Sequence, residues 1–298
     1  MRGIVVGVNG SAESDEALDW AMGEAASAAA PLTVVMVAAG AGKGADAAAH
    51  EVALAPVREE AQALLAASRV RTGLDVDGSV VARPGPAADA LLELGADADM
   101  LVLGRRRRGR LGRAVLGSVS TTVVEHARVP VTVVRHGDPA PDADGAADDA
   151  EPAADAGPPR VVVGVDTSGP SVAALRHACQ VADRTGASID AVFAWQITTL
   201  APLPGSWGWA PPIEDYEVFA AESLAEAVRA AGVTVPPERL TRRVVHGQAA
   251  KQLVAAAQGA ERLVVGARGL GGFDKLLLGS VSRQVLDFAP CPVTVVRG

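Results

Sequence analysis

Two loops of this 298-residue chain combine spaced glycines, a serine and a following helical segment in a way that suits phosphate binding. In the second half the loop reads Gly266-x2-Gly269-x9-Gly279-Ser280. Glycine accepts positive φ and lets a ligand approach the backbone closely, and the amides at the start of a helix attract an anion. Because the Ser280 hydroxyl can cap that helix or donate to a phosphate oxygen, we predict a phosphate-binding cradle here.

The first half repeats this pattern with one exchange. Its loop reads Gly104-x2-Arg107-x9-Gly117-Ser118, so Arg107 stands where the second loop has Gly269. Both loops end in Gly-Ser-Val-Ser, 162 residues apart. The arginine side chain either blocks the close approach of phosphates or neutralises them as a charge-assisted donor. The sequence leaves both readings open.

Elements that could position these loops recur in each half as apolar runs alternating with alanine-rich segments. Several runs are continuous in Val, Ile and Leu, which is typical of parallel strands buried on both faces. Strands are predicted at Gly3–Val8, Leu32–Ala38, Asp75–Ala82, Met100–Leu103 and Val131–Arg135, then at Val161–Val165, Ile189–Trp195, Leu240–His246, Leu263–Val265 and Val293–Arg297. Helices are predicted at Glu13–Ala30, Pro56–Thr72, Pro86–Leu94, Ser171–Thr185, Glu214–Ala231 and Ala249–Gln258.

This alternation predicts an α/β fold of two tandem doubly wound domains, each a five-stranded parallel sheet with helices on both faces. The domains are expected at residues 1–136 and 160–298. Residues 137–159 are rich in Asp, Ala, Pro and Gly and hold no aromatic residue, so we interpret them as a flexible acidic linker. Ligands of such folds bind at the carboxyl ends of the strands where the strand order reverses, which is where the glycine loops should lie.

The composition narrows the class of protein. A formal charge of −8 and a pI near 5.2 argue against a general nucleic-acid-binding surface, and the arginine run from Arg105 to Arg113 lacks interleaved aromatics, so we interpret it as a solvated or phosphate-facing loop. No apolar run approaches the ~20 residues needed to span a bilayer, and the expected location is cytoplasmic. The two cysteines, Cys179 and Cys291, are expected to pack as small apolar side chains.

The glycine loop, the strand before it and the helix after it resemble the universal stress protein family in its tandem two-domain form. Neither a GxxxxGK[ST] loop nor a GxGxxG after the first strand of either half is present. In that family Gly-x2-Gly-x9-Gly-(Ser/Thr) marks the ATP-binding members, which implies an ATP site in the second half, with ADP and AMP as alternatives and Mg²⁺ accompanying the nucleotide. The resemblance assigns this site to Gly164, Asp166, Ala194, Val265, Gly266, Gly269, Gly279, Ser280 and Val281.

In the first half the resemblance points to a second set, which departs from the family pattern twice. The set is Gly7, Asn9, Val37, Leu103, Gly104, Arg107, Gly117, Ser118 and Val119. Asp166 matches the family's aspartate beside the adenosine, and Asn9 in its place keeps hydrogen-bonding capacity but loses the charge. Together with Arg107 this predicts unequal sites, with tight ATP binding in the second half and weaker or altered binding in the first.

The sequence favours a binding module over an enzyme, because no nucleophile–base pair and no carboxylate cluster for a metal is evident. The leading hypothesis is an adenine-nucleotide-binding regulator of the stress response. The alternatives are a slow ATPase or nucleotide-dependent phosphotransferase, and a ligand-free interaction scaffold.

Two further features concern partners. The segment from Ile197 to Pro212 carries Trp207 and Trp209; it is either a surface loop whose tryptophans pack on their own domain, or a lid over a site or an arm reaching a partner. The last strand of each half is expected at a sheet edge, where family members pair. We expect the two domains to pair with each other within the chain through these strands, with a homodimer as a further option.

Overall fold

The computed structural model describes residues 3–38, 47–105, 116–135, 159–196, 213–269 and 277–298. Contacts divide the chain into a first unit, residues 1–137 with 292–295, and a second unit, residues 138–291 with 296–298. Arg107, the loop with Trp207 and Trp209, and the predicted linker up to residue 158 lie outside the described residues. The predicted fold class, an α/β protein with mostly parallel strands and helices on both faces, is confirmed.

The first unit is a parallel sheet whose strand order reverses between its first and fourth strands. The order is β3-β2-β1-β4-β5, and Val293–Val295 run antiparallel beside β5. Helices α1 and α2 pack against each other, as do α3 and α4. The elements are β1 (Ile4–Val8), α1 (Ala12–Ala28), β2 (Leu32–Ala38), α2 (Ala47–Thr72), β3 (Gly78–Pro84), α3 (Ala87–Leu94), β4 (Met100–Gly104), α4 (Ser118–His126) and β5 (Val131–Val134).

The second unit repeats this order of elements. Its strands run β9-β6-β7-β8, with the reversal between β6 and β9, and the Ala267 amide after β9 donates to the Val296 carbonyl. The elements are β6 (Arg160–Val165), α5 (Gly169–Thr185), β7 (Ser188–Trp195), α6 (Ile213–Ala231), a 3-10 turn (Pro237–Arg239), β8 (Leu240–His246), α7 (Ala249–Ala256), β9 (Arg262–Gly266) and α8 (Ser280–Phe288). The last strand, β10 (Val293–Val296), follows them, and its residues up to Val295 belong to the first unit.

Each central strand is buried because helices cover both faces of the sheet. In the first unit the side chains of Val6, Val34 and Val102 are fully buried and pack in one cluster with Leu18 and Met22 of α1. The second unit has the equivalent cluster, in which Val161, Val163 and Val264 contact Leu175 of α5. The continuous apolar runs are therefore explained by burial on two faces.

The first helix of each unit begins in the same way, directly after the first strand. Ser11 caps α1 by accepting a hydrogen bond from the Ser14 amide, and Ser168 caps α5 by accepting one from the Ser171 amide, both at 3.3 Å. A serine cap satisfies one of the amides that a helix start leaves without a partner. These caps fix the turn between strand and helix, which forms one wall of the site described below.

Two predicted starts are wrong by more than two residues, those of α2 and β3. Helix α2 begins at Ala47, nine residues before the predicted start at Pro56, because the alanine-rich segment favours the helix strongly enough to continue past the amide that proline lacks. Strand β3 begins at Gly78 rather than Asp75, because its partner strand begins at Leu32, which pairs with Gly78.

Among the helices that the structure describes, none is both long and apolar enough to cross a membrane.

Candidate functional site

The second unit holds a cavity of about 600 Å³ at the carboxyl ends of β6, β7 and β9, beside the first turn of α8. This is the point where the strand order reverses, the expected position of a ligand crevice in a doubly wound sheet. The structure brings all the residues predicted for the second half into the lining of this one cavity: Gly164, Asp166, Ala194, Val265, Gly266, Gly269, Gly279, Ser280 and Val281.

Asp166 is held by a tight turn between β6 and α5. Its Oδ1 accepts hydrogen bonds from the Ser168 amide at 3.1 Å and from the Ser168 hydroxyl at 2.6 Å. The Asp166 amide donates to the Ser171 hydroxyl at 3.3 Å. Thr167 in the middle of the turn has a φ of +66°, a left-handed conformation that side chains other than glycine rarely adopt. The turn therefore fixes the position of the carboxylate at the cavity wall.

Three glycines of the site are places where a side chain has no room. A Cβ on Gly164 would meet the Leu253 side chain at 2.9 Å, and a Cβ on Gly266 would lie 2.9 Å from the Ser171 amide nitrogen. A Cβ on Gly269 would collide with Oδ2 of Asp166. Close packing of the strand ends, the turn and the loop therefore favours glycine at these positions. The sequence motif also predicted glycine there, but on the ground that a ligand must approach the backbone.

The first turn of α8 faces the cavity without a side-chain cap. Gly279 is the N-cap residue in extended conformation, and no side chain accepts a hydrogen bond there. The Gly279 amide donates to the Ala267 carbonyl at 2.7 Å, and the Ser282 hydroxyl donates to the Gly266 carbonyl at 2.6 Å. The helix start is thereby tied to the end of β9, and its dipole favours a negative charge in the cavity.

Sequence reasoning missed several lining residues, notably Arg268, Phe193, Ala249 and Leu253. Arg268 could have been found, because it occupies one of the two variable positions between Gly266 and Gly269 and carries a positive charge. Phe193 of β7 and the two residues of α7 carry no such signal, since their place depends on how the strand and the helix pack around the cavity. They make one side of the cavity apolar, opposite the polar glycine loop.

The first unit has a smaller cavity at the same place, of about 250 Å³. Its lining includes every described residue of the predicted first set: Gly7, Asn9, Val37, Leu103, Gly104, Gly117, Ser118 and Val119. Asn9 Oδ1 accepts a hydrogen bond from the Ser11 amide at 3.2 Å, so the turn of the second unit is repeated with a neutral side chain. Arg107 lies outside the described residues.

Glu13 is a further departure in the first unit that the sequence comparison missed. It lies in the lining of the smaller cavity, and its backbone carbonyl is the atom that a Cβ on Gly104 would strike. Pro170 holds the equivalent place against Gly266 in the second unit. An acidic residue therefore stands where the second unit has a proline.

An aromatic cluster lies at the carboxyl ends of β7 and β8. Trp195 stacks on Tyr216 of α6, with ring centroids 5.9 Å apart and planes 3° from parallel. His246, at the end of β8, lies 4.6 Å from Trp195 in a tilted arrangement. These contacts join the ends of β7 and β8 to α6.

The cysteines and the other residue types that commonly bind metal ions are considered together, within the part of the chain that the structure describes. Within the described ranges, no group of three or more His, Cys, Asp and Glu side chains could hold a metal ion. Both cysteines are buried and free. Burial raises the pKa of the Cys291 thiol to about 12 and also raises the pKa of Cys179, so neither forms a reactive thiolate at neutral pH. The prediction that they pack as apolar side chains is confirmed.

The fold and the cavity define a doubly wound α/β protein with a ligand crevice at the switch point of each unit. The model of the universal stress protein family matches residues 1–135 and 158–297, and the chain belongs to that family.

Relatives of similar length cover the whole chain. A universal stress protein of Mycolicibacterium smegmatis is 35% identical over 305 residues, covering 99% of this chain and 97% of the relative. One from Mycobacterium tuberculosis is 34% identical over 316 residues, covering the same shares. A crystal structure of a universal stress protein from Archaeoglobus fulgidus shares the fold, with a TM-score of 0.69, 19% identity, and coverage of 99% of this chain and 98% of that one.

Proposed function

We propose that the protein is an adenine-nucleotide-binding regulator of the stress response, and that it binds ATP in the cavity of the second unit. The observation that carries the proposal is the convergence of nine motif residues from β6, β7, β9 and α8 on one cavity of about 600 Å³. Ligand sites of small molecules typically measure about 300–1,000 Å³ and combine an apolar wall with a few placed polar groups. This cavity has both properties.

The two sides of the cavity suit the two ends of a nucleotide. Phe193, Ala194 and Leu253 offer an apolar surface to adenine, and Asp166 offers a carboxylate to ribose hydroxyls or to a base amino group. At the other side, the glycine loop and the uncapped start of α8 favour an anion. Arg268 adds a charge-assisted donor for phosphate oxygens.

A magnesium ion would fit this site as a companion of the nucleotide. Mg²⁺ keeps several waters and is commonly held by one or two carboxylates together with substrate phosphates. Asp166 is the carboxylate that lines the described part of the cavity. The phosphates and waters would therefore supply most of the ligands.

The first unit is proposed to bind nucleotide more weakly or not at all. Its cavity is less than half as large, at about 250 against 600 Å³. It has the neutral Asn9 in place of Asp166. Each of these differences reduces the attraction for a phosphate chain or the room for a nucleotide.

A matched pair of substitutions tests this proposal. A Cβ on Gly117 would meet nothing within 4 Å, and a Cβ on Gly279 would meet its nearest atoms at 3.4 Å, so both positions accept a side chain at the mouth of their cavity. Isothermal titration with ATP should show loss of binding in Gly279→Trp and near-wild-type binding in Gly117→Trp. Equal losses in the two variants would refute the asymmetry.

The identity of the ligand is tested separately. Mass spectrometry of material released by denaturing freshly purified protein should detect adenine nucleotide in the wild type and much less in Gly279→Trp. No nucleotide in either sample, together with no ATP binding by titration, would favour a ligand-free scaffold. Phosphate release well above that of Gly279→Trp would instead favour an ATPase.

A further inference from the structure

The Asp166 carboxylate fills the space that a side chain on residue 269 would need, although the two residues lie about a hundred positions apart in the sequence. A Cβ built on Gly269 would fall on Oδ2 of Asp166, far inside van der Waals contact, and Oδ2 is the nearest atom to that position. The three atoms nearest to that position all belong to the Asp166 carboxyl group. The carboxylate itself is therefore the obstacle to a side chain at residue 269.

The carboxylate is not free to turn away from such a side chain. Its Oδ1 accepts hydrogen bonds from both the amide and the hydroxyl of Ser168, at 3.1 and 2.6 Å. The same hydroxyl lies 3.3 Å from the carbonyl of Arg268, the residue before Gly269. Rotation of the carboxyl group by half a turn exchanges the two oxygens without vacating the space. Moving it further breaks the bonds to Ser168 and loosens the loop.

The first half of the chain differs at both positions together. Asn9 stands at the position of Asp166, and Arg107 stands at the position of Gly269. Asn9 keeps the bond from its side-chain oxygen to the following serine amide, at 3.2 Å. The half that has the carboxylate has the glycine, and the half that lacks the carboxylate carries a long side chain in its loop.

We infer that Gly269 is a positioning residue for Asp166: its missing side chain keeps the carboxylate where the turn holds it, and the two residues act as one unit. The glycine is required by the carboxylate, in addition to any contact that it makes with a phosphate. The consequence for nucleotide affinity rests on the proposed function, whereas the coupling between the two residues does not.

A double-mutant cycle tests the coupling with Gly269→Ala, Asp166→Ala and the double variant. In the wild-type background, Gly269→Ala should lower the melting midpoint of the ligand-free protein by about 2–4 °C. It should also weaken ATP binding by roughly tenfold or more, the scale of losing hydrogen bonds to a charged group. In the Asp166→Ala background, the same change should shift neither quantity measurably, because the obstacle is gone.

Gly169→Ala is the matched control, because a Cβ there would meet nothing within 4 Å and the residue is the first of helix α5 in the same unit. It should not lower the midpoint, since alanine favours a helix more than glycine does, and it should leave the affinity unchanged. Equal effects of Gly269→Ala in both backgrounds would overturn the inference. If Gly269→Ala fails to fold, folding of the double variant supports the coupling and failure of both overturns it. If the wild type binds no nucleotide, the proposed function fails, and the melting midpoints alone still decide the coupling.

Discussion

Thr167 is held in a backbone conformation that glycine adopts in the other half of the same chain. Its φ is +66°, and the equivalent residue of the first unit, Gly10, has a φ of +72°. A left-handed conformation costs a residue with a side chain roughly 1–2 kcal/mol. Replacing threonine by glycine removes this cost, but it also lowers the stability by about 0.5–1 kcal/mol, because glycine loses more conformational freedom on folding. The substitution Thr167→Gly is therefore expected to raise the free energy of unfolding by roughly 0.5–1 kcal/mol.

Urea unfolding followed by circular dichroism measures this change, with Gly10→Thr as the mirror substitution. At Gly10 a side chain brings the same backbone cost, and its Cβ would lie 2.8 Å from a carboxylate oxygen of Glu60. That variant should lose about 1–2 kcal/mol. Because the two substitutions exchange one residue type at equivalent turns, opposite signs are the expected result.

An unfolding free energy for Thr167→Gly that equals or falls below that of the wild type would refute the reasoning. It would mean that contacts of the threonine side chain offset the backbone strain. The left-handed conformation of Thr167 would then be kept because the threonine side chain stabilises the turn that holds Asp166.

Two further predictions concern stability. Burial raises the pKa of the Asp190 carboxyl despite its ion pairs with Arg243 and Arg160. The wild type should therefore lose stability relative to Asp190→Asn as pH rises through the pKa of Asp190 in the folded protein. Unfolding experiments across acidic pH measure this change, and a stability difference that stays constant with pH would contradict it. Leu18 and Leu175 are fully buried at equivalent places in the two units, and replacing either by alanine should cost about 3–5 kcal/mol by chemical unfolding, whereas markedly unequal costs would show that the two cores have diverged as the sites have.

Local sequence patterns predicted most elements of the fold closely. Strands Leu32–Ala38 and Leu240–His246 have the same bounds in the structure as in the prediction, and both contain several of the β-branched residues that favour strands. Helix α2 was misjudged at Pro56 since proline is most common in the first turn of a helix. That preference is statistical, and the preceding alanine-rich segment extends the helix beyond it.

The sequence predicted those residues of the site that belong to a motif of fixed spacing. The glycines and Ser280 follow one another at fixed spacing, and Asp166 follows the end of a strand, so these residues could be named in advance. Leu253 and Phe193 could not, because their place in the lining is decided by how α7 and β7 pack around the cavity. Glu13 was missed for the same reason, since it reaches the smaller cavity through the packing of α1.

The sequence by itself determined the α/β class, the twofold recurrence of its elements and the residues of two glycine-spaced loops, because these depend on periodicity and spacing along the chain. Only the tertiary structure decided that the second cavity is the larger, that Thr167 occupies a left-handed turn and that Gly269 shares its space with the Asp166 carboxylate. The cavity sizes and the approach of Gly269 to Asp166 depend on how segments distant in sequence pack together, and the backbone angle of Thr167 is set by the turn that joins strand to helix.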